Sequence, residues 1–187
     1  MPLVRLPSND EVIIKRVLDA GAGGIIIPQV NSEADLIKAI ESTQYPVQGK
    51  RGAGLARAQG YGRSFDNYKE IADEGLIVVA QIEHIEAFNN LDSILNVPGL
   101  DSIIIGPYDL SASMGKAGLL DDKEVAEIID SILKRSIDRG ISCGIHIIEP
   151  EITELTIRIS QGFNFIAYSL DIRMLDASAK EALDLTQ

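Results

Sequence analysis

Short apolar runs rich in β-branched residues alternate with amphipathic segments along the whole sequence. Each run has the length and composition of a buried strand, and each amphipathic segment has the spacing of a helix that packs on one face. This alternation predicts a parallel sheet whose strands are each followed by a helix. The centres of the six predicted strands are Leu3, Ile25, Val78, Ile103, Gly144 and Ile166.

Two architectures share this alternation, an open doubly wound sheet and a (β/α)8 barrel. A complete barrel takes about 250 residues, so a chain of 187 residues is short by roughly two βα units. The first predicted strand also begins almost at Met1, with no helix before it. From the residues alone, both architectures stay open.

Capping residues predict where several helices begin. Ser8 or Asn9 is expected to cap the first helix, which runs to about Asp19. Ser32 is expected to cap the second helix. Pro150 suits the first turn of a later helix.

Two neighbouring predicted strands each end in a carboxylate, Glu83 in QIE and Asp109 in GPYDLS. The carboxyl ends of adjacent parallel strands open into one mouth, where α/β proteins place their chemistry. Two acids there suit a hard divalent cation, with water and substrate as further ligands. A helix cap or a structural ion pair is an equally good explanation of the spacing.

Residues beside these acids extend the candidate site. Gln81 shares the face of Glu83 and can reach substrate or act as a buried hydrogen-bonding partner. Arg5 is the only charged residue of its strand, and can hold a carboxylate or an enolate oxygen or form an ion pair. A turn at Gly-Pro before Tyr108 would free the N–H groups of Tyr108 and Asp109 for a carboxylate.

Four further residues are weaker candidates. His146 lies in a strand and either lines the pocket or packs, whereas His84 is expected to face the opposite side and to be structural. Cys143 is expected only to pack. Asp19 ends a helix, where an acid is unfavourable to the helix dipole, so another interaction is expected to hold it there.

A glycine-rich basic segment, residues 45–63, interrupts the alternation. It is either a solvated loop or an anion-facing loop near the strand ends, and it lacks the phosphate-binding GxxxxGK[ST] pattern. The chain as a whole is nevertheless acidic, with a net charge of −11, which argues against nucleic-acid and anionic-membrane partners. A small anionic substrate would need a local cation, either metal or arginine.

The single cysteine excludes an intrachain disulfide and suits a reducing cytosol, so a cytoplasmic protein is expected. No apolar run approaches the ~20 residues that span a bilayer. The opening MPLVRLPSNDE has no signal-peptide pattern.

Several stretches, in order, resemble the HpcH/HpaI class II pyruvate aldolases of the phosphoenolpyruvate/pyruvate barrel superfamily. The matching stretches are LVRLPSND, VLDAG, IIIPQV, YPVQGKRGAGLARAQGYG, QIEHIEAFNNLDSIL, PGLDSIIIGPYDLSASMG and GIHI. The resemblance implies an incomplete TIM (β/α)8-type barrel of about six βα units, a single partial domain over residues 1–187, in a usually hexameric family.

The same resemblance implies an activity and a site. The family cleaves 4-hydroxy-2-oxo acids to pyruvate and an aldehyde through a metal-bound pyruvate enolate. Glu83 and Asp109 would bind Mg²⁺, Mn²⁺ or Co²⁺, Arg5 would lie at the pyruvate carbonyl or enolate, and Gln81 and the Tyr108–Asp109 amides would contact substrate. Asp19 matches an acid near the family's site. No lysine lies at an evident strand end, which disfavours a Schiff base.

The resemblance begins after two family strands, the second of which carries a catalytic histidine and a neighbouring acid. His146 is the only candidate in this sequence to replace that histidine. Three hypotheses follow: a metal-dependent aldolase or lyase; a shortened, impaired chain that binds metal or 2-oxo acid or serves as an assembly subunit; and enolate chemistry with another electrophile, as in citrate-synthase-like relatives. Open strand edges also predict a homo-oligomer or strand exchange.

Overall fold

One parallel sheet organises the protein. The computed structural model describes residues 1–184, and at positions 71, 73, 74, 181, 182 and 184 the backbone alone. Its six strands pair in sequence order, all parallel, and curl into a half-barrel, a partial TIM-like barrel. The strands are β1 (Leu3–Arg5), β2 (Gly24–Ile27), β3 (Ile77–Ile82), β4 (Ser102–Ile105), β5 (Ser142–Ile147) and β6 (Phe165–Tyr168). All the predicted strand centres fall within these bounds.

Helices follow every strand. They are α1 (Glu11–Asp19), α2 (Glu33–Thr43), α3 (Phe65–Glu74), α4 (Ile85–Asn89), α5 (Leu91–Leu95), α6 (Pro107–Ser113), α7 (Lys123–Asp138), α8 (Ile152–Gln161) and α9 (Asp171–Asp184), with a short 3-10 helix at Arg57–Gln59. None of the helices within residues 1–184 is long and apolar enough to cross a membrane.

Alternate residues of the strands divide the sheet into two faces. On the outer face, Ile25, Ala80 and Ile103 belong to the buried core beneath the helices. The residues between them point to the concave inner face, because side chains alternate along a strand. Isoleucine-rich strands are thus buried on both sides over most of their length, which explains why β4 reads as an unbroken apolar run.

The predicted starts of α1 and α8 are wrong. Asp10 caps α1, its carboxylate accepting from two backbone N–H groups, whereas Asn9 donates its side-chain amide to the Asp35 carbonyl. Two short helices, α4 and α5, follow β3 and are separated by Asn90, whose side-chain amide donates to the Asn31 carbonyl. Pro150 precedes α8 instead of occupying its first turn. In contrast, the predicted Ser32 cap of α2 is confirmed.

Candidate active site

A cavity of ≈ 480 Å³, here termed the central cavity, opens on the concave face of the sheet. Every strand contributes an inward-facing residue to it, and residues that follow β4, β5 and β6 form the rest of its wall. The strand residues are Arg5, Ile26, Gln81, Ile104, His146 and Ala167, and those after β4 include Gly106, Pro107, Tyr108 and Asp109. The central cavity therefore combines apolar strand side chains with a few convergent polar groups, as binding sites do.

Glu83 lies directly after β3 and is 4% exposed. One of its oxygens, Oε1, accepts the backbone N–H of Gln29 at 2.8 Å. Gln29 follows Pro28 and has a φ of 51°, a left-handed conformation that costs on the order of 1 kcal/mol for a residue with a side chain. No pattern of residues predicts this contact, because it depends on the backbone direction of one loop residue.

A chain of hydrogen bonds connects Arg5 to Glu83. Arg5 Nε donates to Gln81 Oε1 at 3.3 Å, and Gln81 Nε2 donates to Glu83 Oε2 at 2.6 Å. Gln81 is thus a half-buried hydrogen-bonding partner of Glu83 and also lines the central cavity, whereas its contact with substrate stays a prediction. The guanidinium influences Glu83 through an intervening amide and does not pair with it directly.

The two candidate ligands lie together. Burial raises the pKa of the Glu83 carboxyl above its usual value, and the nearby Asp109 carboxylate raises this pKa further. The Gln29 N–H and the Arg5 charge oppose that rise without reversing it. The Glu83 and Asp109 carboxyl groups are within hydrogen-bonding reach of each other. A close pair of acids that resist joint ionisation is an arrangement that a cation stabilises.

Gly106 makes room for this pair. A Cβ at that position would lie 3.0 Å from Glu83 Cβ and 3.1 Å from Gln81 Nε2. Pro107 then begins α6, where its missing N–H is no loss, and the first turn of α6 carries Asp109. The sequence predicted only a turn here, because Gly-Pro is a turn signal as well as a helix start.

His146 lies in the wall between two cavities. It lines the central cavity and also a neighbouring one of ≈ 340 Å³, here termed the side cavity, whose other polar residues include Glu149, Glu154 and Arg158. Burial lowers the pKa of the His146 imidazole, and a hydrogen bond with the Ser169 backbone opposes this shift. By contrast, His84 caps α4 through Nδ1, which supports the structural role expected for it.

Asp19 lies away from the central cavity. A helix that joins neighbouring parallel strands runs back along them, so the end of α1 lies near the amino end of β2. There Asp19 accepts from Arg51 Nη2 at 2.7 Å and is also paired with Lys15. Within this chain, the predicted placement of Asp19 near the site is therefore wrong, although the expectation that another interaction retains it is confirmed.

Arg51 organises the glycine-rich basic segment. Its side chain is 0% exposed, and its guanidinium carbon lies 4.8 Å from the Tyr45 ring centre and 5.3 Å from that of Tyr68. Although burial pushes the Asp19 pKa upward, the hydrogen bonds from Arg51 and Lys15 hold this pKa below its usual value. We call Arg51, Asp19, Tyr45 and Tyr68 the arginine cluster. The segment thus neutralises an internal acid at the amino ends of the strands and does not face the candidate site.

Known proteins resemble this chain over almost its entire length. The family model described as HpcH/HpaI aldolase/citrate lyase matches residues 1–176. A 2-keto-3-deoxy-L-rhamnonate aldolase from Salmonella gallinarum is 37% identical over 185 residues, which are 98% of this chain and 67% of that protein. A hydroxypyruvate/pyruvate aldolase from Roseobacter denitrificans is 36% identical over 176 residues, or 93% of this chain and 68% of that protein.

Solved structures also resemble this chain. The crystal structure of an HpcH/HpaI aldolase/citrate lyase family protein from Burkholderia cenocepacia superposes with a TM-score of 0.92 at 28% identity. The match covers 99% of this chain and 73% of that one. The half-barrel described above therefore corresponds to about three quarters of the solved chain.

Proposed function

Because the chain belongs to the HpcH/HpaI aldolase/citrate lyase family, we propose that it is a metal-dependent carbon–carbon lyase that cleaves 4-hydroxy-2-oxo acids to pyruvate and an aldehyde. The observation that carries this proposal is the pairing of the buried Glu83 with the exposed Asp109, which lines the central cavity. The names of the two curated relatives, both aldolases of 2-oxo acids, support the substrate class.

The residues present fit a divalent cation. Within residues 1–184, no group of three or more His, Cys, Asp or Glu side chains is placed to hold a metal. A cation here would have the carboxylates of Glu83 and Asp109 and take its remaining ligands from water and substrate, as Mg²⁺ and Mn²⁺ commonly do. Each Glu83 oxygen accepts one hydrogen bond and keeps a further lone pair for such a ligand. When bound, the cation would polarise the 2-oxo group and offset the charge that develops on it.

Arg5 supplies the second positive charge of the site. Its Nε is occupied by Gln81, which leaves the other N–H groups of the guanidinium for the substrate. We assign these groups to the oxygen that becomes the enolate, where charge-assisted hydrogen bonds stabilise negative charge most. The N–H groups of Tyr108 and Asp109, in the first turn of α6, have no acceptor within the helix and can receive the carboxylate.

The central cavity disfavours covalent catalysis through an amine. No lysine is among the described residues that line it, so a Schiff base has no amine there. Its apolar residues, such as Ile26 and Ile104, instead exclude water from the reacting carbons.

Pyruvate release tests the proposal. The purified chain is incubated with Mg²⁺ or Mn²⁺ and 4-hydroxy-2-oxopentanoate, and pyruvate is followed with lactate dehydrogenase. We expect metal-dependent release that Glu83→Gln and Asp109→Asn each reduce by about 100-fold or more. Glu127→Gln, an exposed acid of α7, is the matched control and should retain the wild-type rate.

Two results would overturn the aldolase proposal. One is pyruvate release that survives both chelation and the two site variants. The other is binding of Mg²⁺ and pyruvate, measured by calorimetry, without any turnover, which would leave a ligand-binding protein.

A further inference from the structure

His146 lies at the same height on the sheet as Glu83. The β3–β4 register pairs Ile82 with Ile105 and therefore continues to Glu83 beside Gly106. The β4–β5 register pairs Ile104 with Gly144 and continues to Gly106 beside His146. Adjacent strands are about 4.8 Å apart, so roughly 10 Å separates the backbones of Glu83 and His146.

Glycine at position 106 leaves the space between them empty of side chains. On one side of that gap are the acid pair, Gln81 and Arg5, and on the other side is an imidazole. The gap is wide enough for a small organic acid to contact both sides. His146 is also in the wall shared by the central and side cavities, so a substrate longer than pyruvate that continues into the side cavity would pass it.

The imidazole is suited to accept a proton. Burial lowers the pKa of the imidazole, which favours the neutral ring near neutral pH. In a neutral imidazole, one ring nitrogen keeps a lone pair that can accept a proton.

Other groups along the two cavities are less suited. The Arg5 guanidinium donates hydrogen bonds and has no lone pair that accepts a proton. Glu149 is paired with Arg173, which holds the pKa of that carboxyl below its usual value, and Glu154 is paired with Arg158. Asp109 belongs to the proposed cation site.

We propose that His146 is the group that moves the proton during carbon–carbon cleavage, an inference that rests on the proposed aldolase function. Its free nitrogen takes the proton of the C4 hydroxyl. The electrons of that O–H bond form the aldehyde C=O, and those of the C3–C4 bond form the enolate of pyruvate. The aldehyde leaves, and the imidazolium returns the proton to C3, which completes the methyl group of pyruvate. One proton thus passes from oxygen to carbon with no oxidant or co-reactant.

The test compares two histidine variants in the pyruvate-release assay. His146→Asn should lower kcat by about 100-fold or more, whereas pyruvate affinity in the presence of Mg²⁺, measured by calorimetry, stays within about threefold of wild type. His84→Asn is the matched control, because asparagine also caps helices, and it should keep the wild-type rate. In His146→Ala, added imidazole should restore part of the lost rate.

Each contrary outcome identifies what fails. If release depends on Glu83 but His146→Asn keeps a third or more of the rate, only the role of His146 is overturned. A parallel loss of pyruvate affinity in His146→Asn would also overturn it, since the residue would then bind substrate instead of moving a proton. If the wild-type chain releases no pyruvate with metal, the aldolase proposal itself fails, and the role of His146 fails with it.

Discussion

A carboxylate lies near each end of the sheet, the half-buried Asp19 and the buried Glu83, and their surroundings shift their pKa values in opposite directions. At the amino end, Asp19 contacts the Arg51 guanidinium directly, and the pKa of this acid falls. At the carboxyl end, Glu83 is separated from Arg5 by the Gln81 amide, and the pKa of this acid rises. Direct pairing offsets the charge of the acid, and this contact serves stability. Separation leaves an acid whose charge is only partly offset, which is what a cation site needs.

Stability and chemistry should therefore respond to different residues. Substitutions in the arginine cluster should lower the free energy of unfolding, whereas substitutions around Glu83 should lower ligand affinity or the rate of pyruvate release.

Replacing Arg51 should cause the largest loss of stability. Arg51→Met leaves the Asp19 charge without its main partner and exchanges two cation–π contacts for weaker ones. We expect the free energy of unfolding to fall by about 3 kcal/mol in urea denaturation. The adjacent exposed Lys50→Met serves as the control and should shift the midpoint little. A loss below about 1 kcal/mol for Arg51→Met would show that the arginine cluster does not stabilise the fold.

Breaking the hydrogen-bond chain should weaken metal binding more than folding. Gln81→Leu removes the donor to Glu83 Oε2 and the acceptor for Arg5 Nε. We expect Mn²⁺ affinity, measured by calorimetry, to fall by about tenfold, as for other residues that orient a ligand. Gln48→Leu, at an exposed loop position, is the control. Unchanged affinity in Gln81→Leu would mean that Gln81 does not orient Glu83 toward a metal.

A single methyl group should test the space beside Glu83. Gly106→Ala places a Cβ 3.0 Å from Glu83 Cβ, so Glu83 or Gln81 must shift by a few tenths of an ångström. We expect pyruvate release to fall by about tenfold, because small displacements of catalytic groups are costly. In Gly52→Ala the new Cβ would meet only the end of Lys15, at 3.6 Å, and the rate should not change. Equal rates for the two variants would exclude a steric role for Gly106.

The pH dependence of stability should be the smallest effect and should have opposite signs at the two ends. Asp19 has a lowered pKa, so its stabilisation is present above the unfolded pKa and is lost as pH falls through the folded pKa. Glu83 has a raised pKa, so its contribution is present below the unfolded pKa and is lost as pH rises through the folded pKa.

Two variants make this contrast measurable in urea denaturation with chelator present. Between about pH 4 and pH 7, the free energy of unfolding of Glu83→Gln should rise relative to that of the wild-type chain. The rise should be about 1.4 kcal/mol for each pH unit by which the folded pKa of Glu83 exceeds its unfolded pKa. Relative to that of the wild-type chain, the free energy of unfolding of Asp19→Asn should fall as the pH rises through the acid range. The same slope for both variants would contradict the opposite pKa shifts.

The sequence predicted the fold better than it predicted the contacts between loops. Apolar runs predicted the position of every strand, because hydrophobic periodicity and composition are local properties of a sequence. The pairing of Asp19 with Arg51 was not predictable, since Lys50, Arg51, Arg57 and Arg63 look alike in composition and only one of them becomes buried. For Glu83 and Asp109, the spacing predicted proximity, because strand ends in a parallel sheet converge. The Gln29 contact depends on a backbone conformation that carries no signal in residue type.

The strict alternation of inner and outer residues has a consequence for how errors are avoided during folding. In β3, Gln81 stands between Ala80 and Ile82, which belong to the core. A slip of β3 by one residue would turn Gln81 into the apolar core and expose Ile82 on the concave face. The unpaired amide would make that arrangement unfavourable by a few kcal/mol. Packing on the outer face, to which Ile82 belongs, thus disfavours a misaligned candidate site while the sheet forms.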